Sequence, residues 1–129
     1  VLASIGIAQM SYANEIINKC NKNGNLLIEE LNNIEGLSHV KRIENCFSTF
    51  WGFTFLVENR SNLIDKLHSE GVTSMQIHPR NDKWSIFKEF EAHLPGVDFF
   101  DAKELSIPCG WWVKEDDIKK MCKVIKNGW

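Results

Sequence analysis

The first thirty residues constrain the fold more than any other stretch. Ile5, Tyr12, Ile16, Cys20, Leu27 and Leu31 recur at steps of seven and four, the spacing of one face of an α-helix. Ile7, Met10, Ala13 and Ile17 widen the apolar arc in the first half. The weak stretch is Asn21-Lys22-Asn23-Gly24-Asn25. There Gly24 costs about 1 kcal/mol relative to alanine, and the asparagines compete for backbone hydrogen bonds. The pattern fits one bent helix or two. A single helix of about 30 residues is about 45 Å long, whereas a compact chain of this size has a diameter of roughly 36 Å. Such a helix overshoots its own domain. The overhang, Val1 to roughly Tyr12, carries Leu2, Ile5, Ile7, Ala8 and Met10, and an apolar patch of that kind in water marks a missing partner surface. The sequence also opens at Val1-Leu2-Ala3 without a methionine, so we expect a piece of a longer protein.

Beyond Ile34-Glu35-Gly36-Leu37 the pattern turns extended. Phe47, Thr49, Trp51, Phe53, Phe55 and Val57 alternate with Ser48, Phe50, Gly52, Thr54 and Leu56, a β-branched and aromatic run that predicts a largely buried strand. Asn59-Arg60-Ser61 offers a helix N-cap, Leu63, Ile64 and Leu67 give a short helical face, and Gly71 stands where a C-terminal glycine belongs. Val72 to Ile77 predicts a second strand, ended by Pro79. A helix capped by Asn81 or Asp82 would carry Trp84, Phe87 and Phe90, and close before Leu94-Pro95-Gly96. Val97 to Phe100 and Leu105 to Ile107 read as short extended pieces. The last helix is better marked: Glu115, Asp116 and Asp117 fill its first turn, Lys123 and Lys126 lie near its end, and Ile118, Met121, Cys122 and Ile125 form its buried side. With no internal repeat or linker, residues 1–129 predict one α+β domain, a long N-terminal helix followed by a small, mainly antiparallel sheet covered by helices.

Composition excludes several functions. Hydrophobic residues make up 43% of the 129, enough to fill a core, and 15 basic side chains face 17 acidic ones. That near-neutral balance, with lysines spread along the chain, gives no footprint for a nucleic-acid backbone. No apolar run approaches the roughly 20 residues of a membrane span, and the sequence does not open on a basic segment followed by an apolar stretch and a cleavage site. The expected location is the cytoplasm. Cys20, Cys46, Cys109 and Cys122 stand 26, 63 and 13 residues apart, without the pairing of a metal or disulfide framework, so reduced thiols are expected. His39, His68, His78 and His93 join no cysteine at ligand spacing. No glycine-rich phosphate motif occurs.

Chemistry concentrates in His78-Pro79-Arg80-Asn81-Asp82, which packs a titratable ring, a guanidinium, an amide and a carboxylate into a turn between two elements. An arginine there can grip a carboxylate or phosphate with two parallel hydrogen bonds. The alternative is a solvated turn in which Asn81 or Asp82 caps a helix and Arg80 pairs with a nearby acid. A second candidate is Cys109, flanked by Pro108 and Gly110. With His78 or His93 as base it would be a thiol nucleophile; otherwise it is a small buried cysteine.

Several segments together resemble the small C-terminal domain of the DegT-type family of PLP-dependent aminotransferases that act on nucleotide-linked keto sugars. Ala3-Ser4-Ile5-Gly6-Ile7-Ala8-Gln9-Met10 is similar to the start of that family's interdomain helix. Arg80-Asn81-Asp82 and Leu94-Pro95-Gly96-Val97-Asp98 resemble motifs of one subgroup, and Ile107 through Asp116, with Ile125 through Trp129, resemble its closing segment. The resemblance implies an interdomain helix over residues 1–35 and an α+β body over 36–129. It implies a parent enzyme whose separate large domain supplies PLP, the Schiff-base lysine and the phosphate cradle, and which works as a homodimer. The present chain would then bind no cofactor by itself and be inactive alone. It would border the active-site mouth, with His78, Arg80, Asn81 and Trp84 on the nucleotide-sugar side and no catalytic residue of its own. Relatives often cap the last helix with a hydroxyl residue, whereas Val113-Lys114 stands here. A stand-alone binding or regulatory module that self-associates through the exposed helix is the alternative.

Overall fold

The computed structural model describes residues 1–129. The opening pattern becomes two helices, α1 (Leu2–Met10) and α2 (Ala13–Glu30). The break lies at Ser11 and Tyr12, not at the asparagine-rich stretch. Ser11 Oγ donates to the Ala8 carbonyl at 2.8 Å and Tyr12 N–H to Gln9 O at 3.0 Å, local bonds that compete with a continuous helical ladder. Asn23 and Gly24 stay helical because tertiary contacts outweigh their poor propensity. Asn23 Nδ2 donates to the carbonyls of Gly110 and Val113 at 3.1 and 3.0 Å. A Cβ at Gly24 would stand 2.3 Å from the ring of Phe50.

The sheet has three antiparallel strands in the order β1 (Leu37–His39), β2 (Gly52–Val57), β3 (Glu104–Pro108). Phe55 lies opposite both His39 and Leu105, and Phe53 opposite Ile107. Alternation along β2 sends Phe53, Phe55 and Val57 into the core. There they join Leu27 and Leu31 of α2, Leu63 and Leu67 of α3 (Arg60–Ser69), and Ile118, Met121 and Ile125 of α5 (Glu115–Lys126). Each such side chain adds about 1.5–3 kcal/mol of burial free energy. His39, half-buried edge-on to Phe53 at 5.9 Å, makes no hydrogen bond through either ring nitrogen. Burial lowers its pKa, the backbone of Leu31 opposes that shift, and the Arg42 charge adds to it.

The opposite face carries a polar seam. Thr54 Oγ1 and Ser106 Oγ are hydrogen-bonded at 2.7 Å, Ser106 Oγ donates to Glu104 Oε1 at 2.9 Å, and Glu104 is fully buried with Oε2 unpartnered.

At the last helix the absent hydroxyl cap is replaced from within. Asp117 accepts a hydrogen bond from Lys114 N–H at 3.1 Å, one half of a capping box. The predicted buried side of α5 is found, with Val124 added.

Four sequence expectations are corrected. The strand expected from Phe47 begins only at Gly52; Asn45 and Phe50 have φ of 65° and 47°, a left-handed backbone that cannot continue a ladder. Val72–Ile77 forms a single bridge, Met75 to Ser106, because neighbouring backbone N–H groups bond side chains instead, Ser74 to His68 Nε2 and Ile77 to Glu104. Residues 81–90 form two 3₁₀ turns, Asn81–Lys83 and Ser85–Phe90, whose Trp84, Phe87 and Phe90 find no core and remain exposed. Val97–Phe100 is helical within α4 (Pro95–Lys103), where Pro95 opens the helix.

No residue of α1 is buried: Leu2 is 85% exposed and Ile7 76%. Its apolar side chains lie on every side, whereas α5 sorts polar from apolar. No helix is long and apolar enough to cross a membrane.

Candidate functional site

The turn from His78 to Trp84 is built around Arg80. Its guanidinium is buried and faces three elements at once. Nε donates to Asp82 Oδ1 at 2.6 Å, Nη2 to Asp82 Oδ2 and to the Ala92 carbonyl, and Nη1 to Asp98 of α4. Its backbone N–H donates to Asp101 Oδ1 at 3.0 Å, and Lys83 Nζ reaches Asp101 Oδ2 at 2.6 Å. Gln76 adds a third bond to the same carboxylate at 2.9 Å. Charge-assisted bonds of this kind are about twice as strong as neutral ones. Arg80 accordingly holds the Asp82 carboxyl below its usual range, and Asp82 raises the arginine in return. Asp101 is held down to about 2, first by Lys83 and then by the Arg80 N–H. The turn is therefore tied to α4 by charge, without an apolar core beneath it.

His78, at the start of this turn, is exposed and lies edge-on to Trp51 at 6.5 Å. It lines an open recess of about 500 Å³ together with Arg42, Phe47 and Trp51 from the loop before β2, Thr54 from β2, and Phe100 from α4. Asn81 is exposed and supplies a carbonyl to the first 3₁₀ turn; Trp84 is 59% exposed beside it. The four predicted residues thus share one turn, but only His78 lines the recess, and the Arg80 guanidinium points inward to its acids. Sequence reading passed over Arg42 and placed Phe47 and Trp51 in a strand. All three sit in an irregular loop before β2, and the hairpin between β1 and β2 brings them to His78.

Cys109 is fully buried, 3.8 Å from the carbonyl of Cys20. Burial, with Cys20 adding to it, pushes its thiol up to about 12. A thiol so buried and protonated is no nucleophile at neutral pH, so Cys109 is the small buried cysteine of the two readings. No group of three or more His, Cys, Asp or Glu side chains is placed to hold a metal ion. PLP chemistry needs a lysine amine, and no lysine lines the His78 recess. Lys41 stands between Val40 and Arg42 in sequence without lining it, and Lys83 is bound to Asp101. These residues do not make a PLP site, and no step through that cofactor follows from this chain.

Solved structures of similar fold include a sugar aminotransferase. CalS13 from Micromonospora echinospora, a sugar aminotransferase, matches with a TM-score of 0.93 and 28% identity over 97% of this chain and 34% of its own. AtS13 from Actinomadura melliaura matches with 0.93 and 27% over 98% and 34%. DesI, solved in the presence of its TDP-sugar product, shares the fold at 0.85, with 19% identity over 97% and 34%. The chain thus spans about a third of the length of these proteins. No curated protein matches it. The profile of the DegT/DnrJ/EryC1/StrS aminotransferase family covers residues 1–126, and the chain belongs to that family.

Proposed function

We propose that the chain is the C-terminal small domain of a PLP-dependent aminotransferase acting on nucleotide-linked keto sugars, with residues 1–35 as its interdomain helical segment and 36–129 as its body. The observation that carries this reading is α1, nine residues long with an apolar side chain on every side and none buried. Met10, Tyr12, Ile16 and Trp111 extend the same surface into a second, largely apolar recess. A large domain seated there would remove this surface from water. The similar proteins are about three times the length of the chain, which leaves room for such a domain. The large domain would bring PLP and its lysine, so the chain alone holds no cofactor and is inactive. The parent works as a cytoplasmic homodimer.

His78, Asn81 and Trp84 present the substrate-side groups of this domain, and Arg80 serves the same site by fixing the turn that displays them. Reading the gene upstream of Val1 tests the proposal. A continuous frame encoding a lysine-bearing large domain, whose product transfers an amine to a nucleotide-linked keto sugar, is the expected result. An upstream frame without that domain overturns it. The stand-alone, self-associating module predicts instead a defined dimer of the 129-residue chain by sedimentation, held through α1.

A further inference from the structure

His39 ends β1 with an unmet demand. It stands opposite the fully buried Phe55 in the sheet, half-buried and edge-on to Phe53. A neutral imidazole carries one N–H donor and one bare nitrogen acceptor. Here both ring nitrogens are shut off from the surface without a hydrogen-bond partner. A protonated ring would bring two donors and a full charge into the same place, where burial penalises charge most.

The groups packed around the ring do not compensate. α2 presents the backbone of Leu31, β2 presents Phe53 and Phe55, and the following loop presents Arg42. Of these only Arg42 is charged, and its sign is that of an imidazolium. The histidine with a carboxylate partner is His93, not His39. Burial holds the docked ring below its ordinary 6.5; the Leu31 backbone opposes that shift and the Arg42 charge adds to it.

The loop that starts beside the ring is lightly held. Residues 40–47 are all exposed. Its anchors are the bond from Asn21 Nδ2 to the Ser48 carbonyl at 2.9 Å and the side chain of Phe50, which is 7% exposed and stacked on Phe53 at 6.2 Å. Arg42 makes no hydrogen bond or ion pair, and its guanidinium lies 4.0 Å over the Phe50 ring. His39, Phe53, Phe50 and Arg42 thus form one run of contacts from β1 to the loop. Asn45 and Phe50 hold φ of 65° and 47°, a backbone that persists only while its surroundings enforce it. Such a segment opens locally at lower cost than the sheet it leaves.

We propose that His39 is a proton-operated catch on the 40–51 loop. Neutral, the ring stays against Phe53 and the loop is docked. Protonated, the ring turns out to water, repelled by Arg42, and the loop comes away with the wall it gives to the recess beside His78. The docked ring is held below 6.5 and the released one returns to that value, so the released form binds more protons. Docking is therefore complete above 6.5 and weakens as the pH falls below it.

Hydrogen exchange of the 129-residue chain, corrected for intrinsic rates, reads the opening of the loop at about pH 7.5 and about pH 5.5. Loop opening is expected to rise by about threefold or more, with a ceiling of about tenfold set by the proton excess one unit below 6.5, while β2 and β3 keep their protection. By NMR the His39 ring should titrate below 6.5. His39→Phe and His39→Leu should each give a loop whose opening no longer depends on pH over that interval. His78→Gln alters the other histidine bordering the loop, edge-on to Trp51, and should keep the response. Arg42→Gln should move the His39 midpoint up and shrink the response. A ring that titrates at 6.5 or above overturns the proposal, as does a loop that opens equally at both pH values, an undiminished response in either His39 variant, or a rise in β2 as large as that in the loop.

Discussion

The 40–51 loop and the 78–84 turn border one recess and treat their arginines in opposite ways. Arg80 is enclosed by Asp82, Asp98 and the Ala92 carbonyl; Arg42 rests on an aromatic ring with its donors unused. An arginine that already holds carboxylates must break those bonds to hold a substrate. One that stacks on phenylalanine has no such bonds to break. The more conspicuous sequence motif is therefore architectural, and the inconspicuous loop supplies the available charge.

The comparison can be broken most directly at Arg80. Arg80→Ala leaves Asp82 and Asp98 without their cation and unties the turn from α4. Its thermal midpoint should fall by about 5 °C or more in calorimetry, the largest loss among the variants considered. A midpoint near wild type would mean that the charge cluster does not hold the turn.

Acid provides the next effect. The Asp101 carboxyl titrates at about 2 in the folded chain against 3.8 for an unperturbed one. Because the folded value is the lower, its stabilising contribution is complete above pH 3.8 and disappears as the pH falls towards 2. Asp101→Asn should therefore lower the unfolding midpoint at neutral pH and flatten its decline over that acid interval. An unchanged acid limb would remove Asp101 from the account.

Gly24→Ala probes the support of the loop. Alanine gains about 1 kcal/mol in helix propensity, but its Cβ would meet the Phe50 ring, and overpacking of this kind costs about 1–3 kcal/mol. The expected net loss is about 1 kcal/mol by urea denaturation. A stabilised variant would show that Phe50 moves aside freely and that Arg42 is not held in place. The smallest effect belongs to Arg42→Gln, which should change stability by about 0.5 kcal/mol or less. A large drop in stability would make Arg42 a second Arg80.

These contrasts explain what could be read from the residues. α5 was legible because its pattern is local: acids first, lysines last, Ile118, Met121, Cys122 and Ile125 inward. Phe53, Phe55 and Val57 announced β2 by alternation. The breaks were not legible. Asn23 and Gly24 look disruptive until Gly110, Val113 and Phe50 are placed beside them. At residues 81–90 the aromatic spacing suggested a helix, but helical periodicity carries meaning only where a body exists to receive the apolar side. The His78 turn stood out by its chemical variety, whereas Arg42 acquires interest only when the hairpin folds it over Phe50 towards His78.

The notch at Gly24 ties two distant positions into one unit of volume. The hydrogen on that α-carbon and the ring at position 50 fill a single space, so neither site can be altered freely while the other is kept. A chain that placed a methyl group at 24 would hold its loop only by shrinking residue 50, and with that ring would go the shelf beneath the guanidinium at 42. Engineering the recess for another ligand thus begins on a helix that never touches it.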